Sequence, residues 1–260
     1  MIDLIHGLRK DEFPKHYIEF GSFDGENNNF DSRRFRLNLH ERTATTPSEK
    51  EVTASIPYMQ GVVDISNLIG NRVYENREIT YTFYRFGVQK GSATAFQTTI
   101  ENLLMQQFNQ RLNDSYEPDF HYRGKCQEVV VIDDYEKNRL RVEITFDLYP
   151  FKIDNRMESA DHFDPFNFDL DAFQEGLSFS VTANNNRFHL YNSSQRVHVP
   201  GVQVVNGANV VLRSNSIEHL LSTNNWQNYP NFRLFPGMNV IELSASGTAT
   251  VRFDWRKERI

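Results

Sequence analysis

The chain is poor in cysteine, with one residue, Cys126, in 260. No disulfide can close within it, and a single thiol cannot build a zinc knuckle. No stretch reaches the roughly 18 consecutive apolar residues of a membrane span. The opening residues, Met1 to Gly7, lack the basic start and long apolar run of a secretory signal. Together these absences lead us to expect folding in a reducing cytoplasm, without export or membrane insertion. Basic charge is short as well. There are 28 Lys/Arg against 34 Asp/Glu, a net −6; residues 1–150 hold 18 against 23, residues 151–260 hold 10 against 11. Neutralising phosphates needs a basic surface, so general nucleic-acid binding is not expected. Catalytic signatures are missing too. The eight histidines (His6, His16, His40, His121, His162, His189, His198, His219) show no His-x-x-x-His or His-Glu-x-x-His spacing. No Gly-x-Ser-x-Gly elbow or phosphate loop occurs. Neither a metal nor another cofactor is expected.

What the chain does have is aromatic and β-branched sequence. It holds 21 Phe, 11 Tyr and 2 Trp. Runs of such residues are broken by Asn, Gly and Asp clusters, the usual mark of antiparallel sheet. Within Arg77 to Tyr84, Ile79, Tyr81 and Phe83 share one face. From Leu140 to Leu148 the apolar positions Leu140, Val142, Ile144, Phe146 and Leu148 point one way. Arg141, Glu143, Thr145 and Asp147 point the other, which predicts one buried and one wet face. Val129-Val130-Val131-Ile132 reads as the preceding strand, with Asp133 to Asn138 as the hairpin loop. One helix is predicted, over about 92–110. After Gly91 and Ser92, an N-cap, the residues Ala93, Phe96, Ile100, Leu103, Leu104 and Phe108 form a stripe at helical spacing. Gln97, Glu101, Gln106, Gln107 and Gln110 cover the other side, so this helix must pack on a sheet.

The composition changes near residue 150. Asp154 to Glu175 contains seven acidic residues and one base, Arg156, interleaved with Phe163, Phe166, Phe168 and Phe173. We read residues 153–175 as an acidic aromatic linker; an exposed binding strip is the alternative. Short strands follow at Leu177/Phe179/Val181, Phe188/Leu190, Val197/Val199, Val202/Val204 and Val210/Leu212. Pro236-Gly237-Met238-Asn239 is a turn signal. After it come Val240 to Leu243, a hairpin loop at Ser244 to Gly247, and a last strand that alternates Ala249, Val251, Phe253 and Trp255. Such spacing without helices predicts a β-sandwich. The expected domains are therefore 1–152, mainly β with one packed helix, and 176–260. No internal repeat is visible.

Enzyme chemistry finds little support. Asp133-Asp134 and Asp161/Asp164 could supply the carboxylate pair of a glycosidase, roughly 5–9 Å apart, but they fall in a loop and in the linker, where solvated carboxylates are the default. Cys126, at the start of a strand, reads as a small core residue rather than a nucleophile.

A set of ordered motifs resembles the distal tail proteins of long-tailed, siphovirus-type phages. Tyr74-Glu75-Asn76-Arg77-Glu78-Ile79-Thr80-Tyr81-Thr82-Phe83 is similar to that family's Y-x-x-R-x-I-x-F-x-F strand, and Gly61-Val62-Val63-Asp64 to the Gly-x-x-Asp element before it. Tyr116-Glu117-Pro118-Asp119-Phe120-His121-Tyr122-Arg123-Gly124-Lys125-Cys126 resembles the family's entry into the closing hairpin. Phe146-Asp147-Leu148-Tyr149-Pro150-Phe151-Lys152 resembles its exit, and Phe235-Pro236-Gly237-Met238-Asn239-Val240-Ile241 the Pro-Gly-x-Asn turn of the second domain. The resemblance implies an N-terminal β-barrel-like domain that assembles as a homo-hexameric ring, and a C-terminal galectin-like β-sandwich. It implies a non-enzymatic structural protein at the tail tip or baseplate, made in the host bacterial cytoplasm. Its partners would be the major tail tube protein on one side and a tail-associated hub protein on the other. Baseplate or receptor-binding proteins would attach at the periphery. DNA would pass through the ring without specific binding, which the acidic first half suits.

The alternative is a carbohydrate-binding module for host cell-wall adhesion. The residues suited to it are Trp226 and Tyr229 as aromatic platforms, with Arg187, His189 and Asn192 as polar groups. A galectin site needs His-x-Asn-x-Arg, whereas His189-Leu190-Tyr191-Asn192-Ser193-Ser194-Gln195-Arg196 departs from that spacing. Trp226 and Trp255 also fit a packing role, so a lectin-like fold need not carry lectin function.

Overall fold

Alternation at period 2 sets the first half of the chain. Leu140, Val142, Ile144, Phe146 and Leu148 are fully buried along one strand, and Ile79, Tyr81 and Phe83 along its neighbour. Burying a whole apolar face at once is what makes such strands favourable. A computed structural model describes residues 14–22, 29–51, 53–55, 57–58, 60–61, 63–64, 72–155, 177–183, 186–214, 217–222 and 224–260. The chain divides into two compact units, Met1–Lys152 with Ile260, and Ile153–Arg259.

The first unit contains β1 (Ile18–Gly21), β2 (Phe30–Asp31), β3 (Asn38–Ala44), β4 (Thr53–Ala54), β5 (Val63–Asp64), β6 (Arg77–Phe86), α1 (Ala93–Leu104), β7 (Gln110–Asp114), β8 (Phe120–Asp134) and β9 (Arg139–Leu148). β4 and β5 pair with each other. The rest form one antiparallel sheet in the order β2-β1-β7-β8-β9-β6-β3. That sheet is strongly curled. β1 and β9 are three strand spacings apart, about 14 Å on a flat sheet, yet the Phe20 and Phe146 rings lie 5.0 Å apart. Tyr81 of β6 likewise reaches Asp114 of β7, at 2.8 Å, across three spacings. The sheet thus wraps its own core in a barrel-like manner, although among the described residues no backbone pairing joins β2 to β3.

The predicted hairpin is present as β8 and β9, its turn tightened to residues 135–138, with Asn138 at φ 47°. The two strands approach so closely at Gly124 that a Cβ there would lie 2.2 Å from the Asp147 carbonyl oxygen. The helix packs Phe96, Ile100 and Leu104 into the core, but it ends at Leu104 rather than near residue 110. Phe108 is 86% exposed. The chain must turn there to enter β7, whose ladder with β8 takes the place of a further helical turn. Ser92 is no side-chain cap either. Its backbone is already helical and its hydroxyl makes no cap bond.

The second unit contains β10 (Lys152–Asp154), β11 (Ser178–Val181), β12 (Asn186–Asn192), β13 (Gly201–Asn206), β14 (Val210–Ser214), β15 (Ile217–Leu221), β16 (Gln227–Asn228), β17 (Gly237–Ser244), β18 (Ala249–Asp254) and β19 (Glu258–Arg259). β10, which starts on the last residue of the first unit, pairs with β19. Two four-stranded antiparallel sheets, β11-β18-β13-β16 and β12-β17-β14-β15, share a core built on Leu190, Leu212, Phe232, Ile241, Val251 and Phe253. The unit is a β-sandwich.

Two sequence expectations change here. Ser244 to Gly247 is no hairpin loop, because β17 and β18 lie in different sheets. The segment arches between layers about 10 Å apart, tied down by Ala245 N–H to the Thr182 carbonyl and Ser246 N–H to the Ala208 carbonyl, both at 3.3 Å. Val197 and Val199 form no strand; the chain makes only an isolated bridge, His198 to Leu234. Most of the acidic aromatic segment, residues 156–176, lies outside the described residues. Among the described residues no helix is long and apolar enough to cross a membrane.

Candidate functional site

Four strands of the first unit send side chains into one polar cluster. Asp114 of β7, 2% exposed, accepts from Arg42 Nε of β3 at 2.5 Å, from Tyr81 OH of β6 at 2.8 Å and from the Tyr116 N–H at 2.9 Å. Arg42 Nη2 also donates to Glu117 at 2.7 Å and to Tyr122 OH of β8 at 3.1 Å. Tyr122 in turn donates to Glu117, whose other oxygen accepts from Lys152 Nζ at 2.5 Å. Burial and the adjacent carboxylates push the Tyr81 hydroxyl well up and Tyr122 to about 12. Burial works against the Arg42 charge, but Asp114 and the two tyrosines outweigh it and hold the guanidinium protonated. Burial would raise Glu117; hydrogen bonds from Lys152 and Tyr122, with the Arg42 charge, bring it below the usual carboxylate value. Both carboxylates are fully engaged. The cluster is a latch that ties the β3 edge to β7 and β8 across the mouth of the curl. Its members run from residue 42 to residue 152, so no local motif could have announced it.

The five residues suited to a sugar do not form one site. Arg187 and His189 are exposed on β12, at one edge of its sheet, and Arg187 pairs with Glu242 at 2.7 Å. Asn192 is 1% exposed and committed to the backbone. It donates to the Arg196 carbonyl at 2.8 Å and the Leu234 carbonyl at 3.1 Å, and accepts from Ser194 N–H at 3.0 Å. Trp226 and Tyr229 flank β16 in the other sheet. Tyr229 OH is bonded to Gln227 at 2.8 Å and its ring packs 5.3 Å from His219 on β15, the edge strand opposite β12. Trp226 is 46% exposed over Gly201, whereas Trp255 is buried in the core.

Sequence reasoning passed over the outer face of the β12 sheet. Arg187, Glu242, Arg213 and Glu218 stand in one row across its four strands, with ion pairs of 2.7 Å at each end. Beside this row Tyr191 faces Met238 and His189 faces Val240, and Phe235 lies next to them in the chain's approach to β17. Met238, Val240 and Phe235 are each about half exposed. The signal was present in β17, where apolar residues occupy both faces.

The candidate acids and the thiol have structural surroundings. Asp134 ends β8 and accepts from Arg139 at 2.8 Å, which lowers its pKa. Asp133 accepts from Tyr135 OH at 3.3 Å. Asp161 and Asp164 lie outside the described residues. Cys126 is buried inside β8 rather than at its start, and burial pushes its thiol up to about 12. His198 is forced down to about 4 by burial and the nearby Arg196 charge. Among the described residues no three His, Cys, Asp or Glu side chains cluster to hold a metal.

No family model matches the sequence, and no curated protein matches it. Solved structures do. The SPP1 Dit (gp 19.1) protein, described as a paradigm of the hub adsorption apparatus in phages infecting Gram-positive bacteria, is 16% identical. The match covers 93% of this chain and 98% of that one, with a TM-score of 0.56. Two structures of the phage p2 baseplate in its activated conformation also match. One is 10% identical and covers 93% of this chain and 98% of the other, at a TM-score of 0.41. The second is 12% identical and covers 92% and 97%, at 0.39. Both scores are too low to establish a common fold. The curled sheet with its helix and the sandwich that follows are therefore, over 93% of the chain, the fold of the SPP1 Dit protein.

Proposed function

We propose that this chain is the distal tail protein of a long-tailed phage, a structural hub of the tail tip with no catalytic role. The observation that carries the reading is the fold likeness to SPP1 Dit, which takes in both units rather than one. The first unit forms a homo-hexameric ring between the tail tube and the baseplate, and DNA passes through its opening without being captured. The sandwich offers attachment surface to peripheral baseplate or receptor-binding proteins. The acidic balance of residues 1–150, 18 bases against 23 acids, supports a ring that DNA traverses. The test is solution mass by light scattering across a concentration series. A closed ring appears as one discrete species, and a hexamer weighs about six times the 30.4 kDa chain. A monomer at every concentration, both free and mixed with purified tail tubes, would overturn the reading.

A further inference from the structure

β7 pairs with β8 only as far as Gly124. Beyond that point β8 continues for ten residues, paired to β9 on one side and no longer covered by β7 on the other. This open stretch contains Val129-Val130-Val131-Ile132, an unbroken β-branched run of the kind that recruits further strands. What occupies the open side is a side chain of α1. Gln97 Nε2 donates to the Val129 carbonyl at 3.2 Å, and Gln97 Oε1 accepts from the Val131 N–H at 3.4 Å. These two groups flank Val130 and are the pair that one residue of an added parallel strand would take. The second amide hydrogen goes to Glu101 one helical turn on, at 2.8 Å, which fixes the amide plane. Charges bracket the run, with Glu128 before it and Asp133-Asp134 after it, and Ile132 is 49% exposed. Such flanking charges are the usual defence of an unavoidable sticky strand.

We propose that Gln97 is an edge guard. Its carboxamide fills the hydrogen-bonding seat of a missing strand on β8 and blocks addition of the 129–132 segment of a second copy of the chain. Glu101 is the positioning residue that aims it. This inference stands apart from the hub reading.

The test uses the full chain and its Gln97→Leu variant, with Gln97→Asn (one carbon too short to reach) as the second variant should the first fail to fold. Hydrogen exchange is read at the Val131 amide, and binding is measured to a synthetic peptide of residues 128–134. The variant should exchange at Val131 about three- to tenfold faster than wild type, the range expected for one lost backbone hydrogen bond. It should bind the peptide where wild type does not, and recover Val131 protection on doing so. Ile132→Lys added to the variant should abolish that binding. Unchanged exchange overturns the proposal. So does faster exchange without peptide binding, or binding that survives Ile132→Lys.

Discussion

Replacing Asp114 by Ala tests the latch directly. The carboxylate is 2% exposed, and its loss strands the Tyr81 hydroxyl and Arg42 Nε inside the curl. Removing one partner of a buried ion pair costs about 3–5 kcal/mol; Arg42 keeps Glu117 at 2.7 Å, which places this loss at the low end of that range. The stranded hydroxyl, about 1–3 kcal/mol by itself, is part of that figure rather than an addition to it. In a unit of roughly 150 residues each kcal/mol moves the midpoint by about 2–4 °C, so the first unit should melt roughly 6–12 °C lower. A double replacement, Arg42→Met with Asp114→Leu, removes both charges and should recover part of the loss. The assay has a built-in control. Trp226 and Trp255 are the only tryptophans, and both belong to the second unit. Tryptophan fluorescence therefore follows that unit, while circular dichroism follows both. Asp114→Ala should bring in an early dichroism transition and leave the fluorescence transition in place. A loss within about 1 kcal/mol, the range of an exposed ion pair, would refute the view that these groups are buried together as a latch.

His198 should make the second unit acid-sensitive in a defined window. Its folded pKa is about 4 against an ordinary 6.5, so the unfolded chain takes up the proton first as pH falls. Stability is intact above about 6.5, declines between 6.5 and 4, and levels off below, by about 3 kcal/mol in total. Urea titrations followed by tryptophan fluorescence at pH 7 and pH 4 should show this, and His198→Phe should lose the difference; an unchanged difference would show that another group is responsible. Asn192→Ala should destabilise the same unit by about 1–3 kcal/mol, since three backbone groups each lose a hydrogen bond, although the Leu234 carbonyl keeps the His198 N–H. If that variant instead melts like wild type but loses binding on a glycan array, Asn192 is a sugar ligand and not a structural residue.

The inner faces of β6 and β9, the hairpin that joins β8 to β9 and the Phe96, Ile100 and Leu104 positions of the α1 stripe were all legible in the sequence. Each is a local period, and the side chains that define it sit within one element. The arch at Ser244 to Gly247 was not, because β17 and β18 alternate in the same way whether they face each other in one sheet or stand in two. The end of α1 was also out of reach. Phe108 keeps the helical spacing, and only the competing ladder of β7 with β8 decides that the helix stops at Leu104. Asn192 read as a polar candidate for a sugar site, yet its amide is consumed by carbonyls at positions 196 and 234.

By itself, then, the sequence determined two β-rich stretches, one amphipathic helix, a single cysteine and an acidic first half. Tertiary structure alone decided how far the first sheet curls, which side chains meet in its mouth, and which helix side chain seats against β8. Those outcomes depend on contacts between residues such as Arg42 and Asp114, or Gln97 and Val131, that lie far apart along the chain. A period read in a window of ten residues carries no information about which distant window will close against it.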